Sequence, residues 1–243
     1  MLESLIAFVA FLILSPFVRF MADKQITVRS KKIATFGYSE EVRVQREAEF
    51  ASAMEKIKSF KALLIIMFVL AVPAAIIFLT DNPLSVKIEY ALILLLSVNI
   101  AVVDQLVKRI PNELLLSLLA VRTVFIIYSM FSGGKFNSEV LKTLIYSSLV
   151  GFALALIIFM LPSLFHVYIG AGDVKFCAVI GYCFGFMGFI EASFVMGLAL
   201  FIVLIYLRVT KKGSIKSKVA LGPYLTLGAI EYMLIGFTTM LSK

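Results

Sequence analysis

Apolar runs of roughly bilayer length recur along this chain and leave little choice of fold. They cover residues 2–18, 62–79, 88–103, 113–131, 139–161, 173–190, 191–207 and 219–240. A helix needs about 20 apolar residues to cross a bilayer. Only helices and closed barrels satisfy their own backbone hydrogen bonds in lipid. Hydrophobic residues make up 61% of the 243 positions, where a soluble domain has about 45–50%. The mean hydropathy is +1.03. The expected fold class is therefore an all-α, polytopic membrane protein with about eight transmembrane helices and a short cytoplasmic loop after the first. The first run follows Glu3 and lacks both the basic start and the small-residue cleavage site of a secretory signal, so it reads as a retained span. A bend is expected at Pro16.

The charges set the orientation. The net charge is +8, which in a soluble chain would point to nucleic acid. Here the basic residues crowd into alternate loops, the positive-inside pattern of a membrane protein, and nucleic-acid binding is set aside. With residues 19–61 inside, the inner segments and Lys175 hold 18 Lys/Arg, against four outside at Lys87, Lys135, Lys142 and Lys243. Both chain ends then lie outside. Residues 19–61 are the one sizeable polar stretch, with ten Lys/Arg and six Asp/Glu. From Glu40 onward, Phe50, Met54, Ile57 and Lys61 recur at helical spacing, which predicts an amphipathic helix on the cytoplasmic membrane surface. Cys177 and Cys183 are not spaced as a metal motif and read as buried free thiols.

Two of the four aspartates adjoin apolar runs. Asp104 closes the third run, and Asp173 opens the sixth within Gly170-Ala171-Gly172-Asp173. An ionisable group at such a position is costly and signals function by default. Two crossings separate the pair, which returns both carboxylates to the same leaflet. If they meet laterally they cannot both ionise cheaply, and would share a proton as an acid/base pair acting on water. Glycines at 170 and 172 leave backbone free for close approach. The bland alternatives are a tight turn with Asp173 as a helix N-cap and Asp104 as an ordinary helix-end residue.

Asp104-Gln-Leu-Val-Lys-Arg-Ile-Pro111-Asn112, then Gly170-Ala-Gly172-Asp173-Val-Lys175, then Leu221-Gly222-Pro223-Tyr-Leu-Thr-Leu-Gly228 resembles the bacterial type IV prepilin peptidase family, membrane aspartic proteases of the G-x-G-D type. The resemblance spans roughly residues 62–240. It implies a membrane-embedded peptidase domain over residues 62–243, preceded by a first span and basic segment over 1–61. It further implies Asp104 and Asp173 as the catalytic pair, with Gly170, Gly172, Lys175, Pro111, Asn112, Gly222 and Pro223 around them. The implied substrate is a prepilin or pseudopilin, cleaved at the border between its basic leader and its apolar helix on the cytoplasmic side of the inner membrane. Acidic groups near the cytoplasmic mouth are expected to meet that leader.

The chain departs from the family in one respect. Many bacterial members bind zinc through two C-x-x-C pairs after the first helix, whereas residues 19–61 hold no cysteine. No zinc or other cofactor is expected. Methylation of the product with S-adenosylmethionine is left open, with a tilt toward peptidase activity alone.

Other charged residues fit structural roles. Arg122 lies mid-span and needs a partner. Glu231 is the expected one, since the two lie about 13 Å and 18 Å in from the cytoplasmic ends of their helices at 1.5 Å per residue. Glu113 is expected in the first turn of its helix. His166, the single histidine, reads as a loop or interface residue. The partners expected are the substrate and the lipid bilayer, and the oligomeric state is open. Competing readings are a proton-coupled transporter relaying through Asp104, Asp173, Arg122 and Glu231, and a non-catalytic pilus-assembly scaffold. A presenilin-like protease is a further rival, but the Tyr-Asp and Pro-Ala-Leu motifs of that family do not occur here.

Overall fold

The computed structural model describes residues 1–35, 40–131, 138–164, 169–210 and 220–236. Within these the chain is helical, with no strand: α1 (Leu2–Thr35), α2 (Glu40–Lys58), α3 (Phe60–Leu79), α4 (Leu84–Val107), α5 (Asn112–Phe131), α6 (Ser138–Leu164), α7 (Ala171–Val209) and α8 (Gly222–Leu234). Six of them, α1 and α3 to α7, are long and apolar enough to cross a membrane. The fold is thus a polytopic all-α membrane protein, with six such helices where the sequence suggested eight.

α1 runs well past the expected end at residue 18. Its 34 residues make a rod of about 50 Å, longer than the hydrocarbon core of about 30 Å. The helix carries through Pro16 because a neighbour repairs the ladder. Proline brings no N–H to the Leu12 carbonyl, and Ser15 Oγ, fully buried, donates to that oxygen at 2.8 Å instead. Beyond the proline, Val18, Ala22 and Ile26 keep one apolar face buried.

That extension gives α2 a partner. Phe50, Ala53 and Ile57 form the buried stripe of α2. Phe50 and Ala53 pack on Ile26 of α1 and on Leu106 and Val107 at the end of α4. The helix expected from Glu40 is present, and protein covers its apolar face. A sharp junction leads into α3, where Ser59 Oγ accepts from Ala62 N at 3.2 Å as the N-cap.

α7 accounts for most of the difference in span count. It contains one non-helical residue, Gly185, at φ 71° and ψ −169°, in the region that favours glycine. Before it, the ring of Phe184 packs tilted against Tyr232 of α8, with centroids 4.8 Å apart. After it, Gly188 meets Tyr232, and Ala192 meets Gly228. Beyond Gly185 the contacts descend α8 from Tyr232 to Gly228, and on α6 they move from Ser147, beside Gly185, back to Phe159, beside Phe189: the chain turns back at Gly185. The two expected spans, 173–190 and 191–207, correspond to these legs, with the turn five residues earlier than their boundary. The first leg and the 13-residue α8 are each about 20 Å long, too short to cross alone.

Small residues let α6 and α7 touch backbone to backbone, as in many membrane bundles. A Cβ on Gly151 would fall on the Gly181 carbonyl, one on Gly181 would fall on the Gly151 carbonyl, and one on Gly185 would fall on Ser147 Oγ. Gly151→Ala is therefore expected to cost about 2 kcal/mol through overpacking, read as a lowered thermal unfolding midpoint in detergent. Gly197→Ala, with nothing near its Cβ, should leave the midpoint unchanged or raise it. Equal midpoints for the two variants would contradict the close α6–α7 contact.

Candidate active site

Asp104 sits in the last turn of α4 and is buried. The helix stops four residues later, where Lys108 takes the left-handed conformation (φ 51°, ψ 43°) while its N–H still donates to the Asp104 carbonyl at 2.7 Å. Arg109, Ile110 and Pro111 then carry the chain into α5. The Asp104 carboxylate is held from across the bundle: its Oδ2 accepts from Gly222 N at 2.9 Å. Gly222 opens α8, so its amide has no partner within its own helix. A Cβ at this position would lie 2.8 Å from the same carboxylate oxygen, so the contact requires glycine. Pro223 follows in the first turn of α8, where its missing N–H costs nothing. Further along, Thr226 Oγ1 donates to the Ser97 carbonyl at 3.1 Å, a second buried tie between α8 and α4.

Asp173 is half-buried in the first turn of α7, whose N-cap is Gly170. It is therefore inside the helix, and the N-cap reading of this aspartate is corrected. A Cβ on Gly170 would lie 2.7 Å from Asp173 Oδ2, so the carboxylate folds back over the first glycine. The second glycine serves packing: a Cβ on Gly172 would come within 3.3 Å of Ile110 Cβ. The start of α7 thus rests on the link that follows Asp104. The Ile110 carbonyl in turn accepts from Arg29 Nη2 of α1 at 3.1 Å. The outcome is that Asp173 and Asp104, 69 positions apart in the chain, flank one junction, where Gly172 packs on Ile110. Like charges so placed disfavour joint ionisation, and such a pair holds a proton that it can give to or take from a bound reactant.

The other expected site residues divide. Pro111 is buried in the link between α4 and α5, Asn112 is exposed at the start of α5, and Lys175 is exposed on α7. Glu113 stands in the first turn of α5, as expected. Among the described residues no cluster of three His, Cys, Asp or Glu side chains is assembled that could hold a metal ion. Cys177 and Cys183 are buried and free. His166 lies outside the described residues.

The expected Arg122–Glu231 ion pair is not formed. Arg122 Nη1 binds Glu89 Oε1 of α4 at 2.8 Å and also reaches Ser148 Oγ of α6. Neighbourhood decides this: α5 packs on α4, α6 and α7, whereas α8 packs on α3, α4 and α7. Depth alone suggested Glu231, but the short link between α4 and α5 makes those two helices antiparallel neighbours, and that was the signal for Glu89. Both carboxylate oxygens of Glu231 are buried without a hydrogen-bond partner, and Glu191 is nearby.

A helical, multi-pass membrane protein with two carboxylates drawn together at one end of its bundle is the class that fold and site define. Residues 90–207, about half of the chain, match the family model Peptidase_A24, the type IV leader peptidase family. The match, which covers 118 of the 243 residues, points to a peptidase of that family, and both Asp104 and Asp173 fall within it. Neither the curated proteins nor the solved structures that were searched gave a match.

The pairing makes a stability prediction. Glu89→Ala leaves Arg122 uncompensated in a buried setting and is expected to cost about 3–5 kcal/mol. Glu231→Gln removes a carboxylate without hydrogen bonds and should be neutral or stabilising. Thermal unfolding in detergent checks both. A Glu231→Gln loss as large as that of Glu89→Ala would contradict the assignment.

Proposed function

We propose that this chain is an aspartic endopeptidase that removes the basic leader of type IV prepilins or pseudopilins at the cytoplasmic face of the inner membrane. The observation that carries the reading is the packing of the Asp173 end of α7, through Gly172, on Ile110 of the link that follows Asp104, within a segment matched by the leader-peptidase family. In the proposed step, the deprotonated member of the pair takes a proton from water as that water attacks the scissile carbonyl. The protonated member gives its proton to the carbonyl oxygen. Collapse of the resulting diol breaks the C–N bond: the carboxyl now carrying the water's proton delivers it to the leaving amine, while the other carboxylate takes back a proton from a diol hydroxyl, which restores the starting pair. Asp104 and Asp173 would be the catalytic residues. Gly222, through its hydrogen bond to Asp104, and Gly170 and Gly172 would be positioning residues. The uneven distribution of Lys and Arg among the loops supports placing this end of the bundle in the cytoplasm. The proposed hydrolysis calls on water and the two carboxylates, and peptidase activity without methyl transfer remains the preferred reading.

Leader removal from a prepilin in membranes, followed by gel shift at matched protein levels, tests this. Asp104→Asn and Asp173→Asn should each slow cleavage on the order of 10³-fold, within the range general acid–base catalysis supplies. Lys175→Ala, whose side chain is exposed, should stay close to wild type. Wild-type rates in either Asp variant would end the two-carboxylate mechanism. An inert wild type, tried on several prepilins, would favour the transporter or scaffold reading.

A further inference from the structure

Two cavities meet beside the Asp104 end of the bundle, and their chemistries differ. The first, about 890 Å³, lies between α2 and the link after α4. Its charged lining is Arg46, Lys56, Lys108 and Arg109 against Glu49 alone, over an apolar floor that includes Phe50 and Leu106. Among the described residues, Lys56, Lys108 and Arg109 make no salt bridge. The second, about 410 Å³, is a groove among α3, α4 and α8 with an almost wholly aliphatic wall, including Ile66, Val69, Ala101 and Leu227. Leu106 lines both cavities, and the adjacent residues Lys56 and Ile57 line one each. Both volumes are in the range of ligand sites, about 300–1,000 Å³.

We propose that the basic cleft and the apolar groove together form one site for an anionic phospholipid. The phosphate-bearing headgroup would lie among Lys56, Lys108 and Arg109, and an acyl chain would run past Leu106 into the groove. Charge selects the occupant. A basic leader peptide would meet like charge in the cleft. A zwitterionic lipid would bring its own cation. A soluble anion would leave the groove unused. Basic clusters at the membrane border attract anionic headgroups, and here one shares its Leu106 wall with an aliphatic groove. Gln105 and Pro223, beside Asp104 and Gly222, also line the groove, so a bound chain would brace the ends of α4 and α8 where they hold the Asp104 carboxylate. The binding claim stands whether or not the leader-cleavage reading holds.

Native mass spectrometry of the full chain in neutral detergent tests it. The probes are palmitoyl-oleoyl phosphatidylglycerol, phosphatidylcholine with the same chains, and inorganic phosphate. Wild type should retain one phosphatidylglycerol in clear preference to phosphatidylcholine, and millimolar phosphate should not displace it. Lys56→Gln combined with Arg109→Gln should weaken phosphatidylglycerol binding by about thirtyfold, since each basic side chain near an anionic headgroup contributes on the order of a fivefold gain. Ala101→Phe, which fills the groove and leaves the cations in place, should also weaken it. Lys142→Gln, exposed on α6, should not. Equal retention of the two lipids, wild-type retention in the double variant or in Ala101→Phe, or displacement by phosphate alone would overturn the proposal.

Discussion

A single backbone amide, that of Gly222, ties the late part of this chain to the carboxylate of Asp104. Much of the architecture is arranged so that this contact can form. The amide is free because it opens a helix, and it comes close enough because glycine presents no Cβ. The Thr226–Ser97 bond keeps α8 along α4. A buried carboxylate without donors would carry a large desolvation penalty, so Asp104 and the start of α8 require each other. Glycine solves the same problem on the other side of the site. Gly172 lets α7 rest on Ile110, and Gly170 leaves room for the Asp173 carboxylate. The carboxylates are brought together by close backbone packing of the helix ends around them.

The remaining buried charge follows the same rule of compensation. Arg122 has a carboxylate on α4 and a hydroxyl on α6, and so joins three helices within the bundle. The ladder gap at Pro16 is closed by Ser15. Glu231 departs from that rule, with both carboxylate oxygens buried and without hydrogen bonds, and Asp23 Oδ1 is likewise buried without one.

Fold class was legible from apolar run lengths, because lipid demands internally bonded helices and no soluble core needs so many runs. The common depth of Asp104 and Asp173 was legible too, since an even number of crossings returns the chain to one side. What composition could not supply was lateral neighbourhood. Glu89 and Glu231 both lay within reach of Arg122 in depth, and only the packing of α5 against α4 chose between them. The turn at Gly185 was hidden inside an unbroken apolar run, where no polar residue marks it and a glycine in positive φ carries the whole reversal. The length of α1 was missed because its polar extension looks like a loop until α2 is folded back against Ile26. Gly222 was picked out by motif resemblance, and its physical role became visible only with the geometry.

The central claim is that Asp104 and Asp173 act on each other's charge. The chain has four aspartates, so labelling their carboxyl carbons with ¹³C gives a spectrum simple enough to titrate by nuclear magnetic resonance in detergent. Asp104→Asn and Asp173→Asn assign the two signals. If the groups are coupled, neutralising one moves the titration midpoint of the other by about one pH unit or more, while Asp23 and Asp81 titrate as before. If each titrates identically with and without its neighbour, the two carboxylates do not form a pair and the account built on them fails.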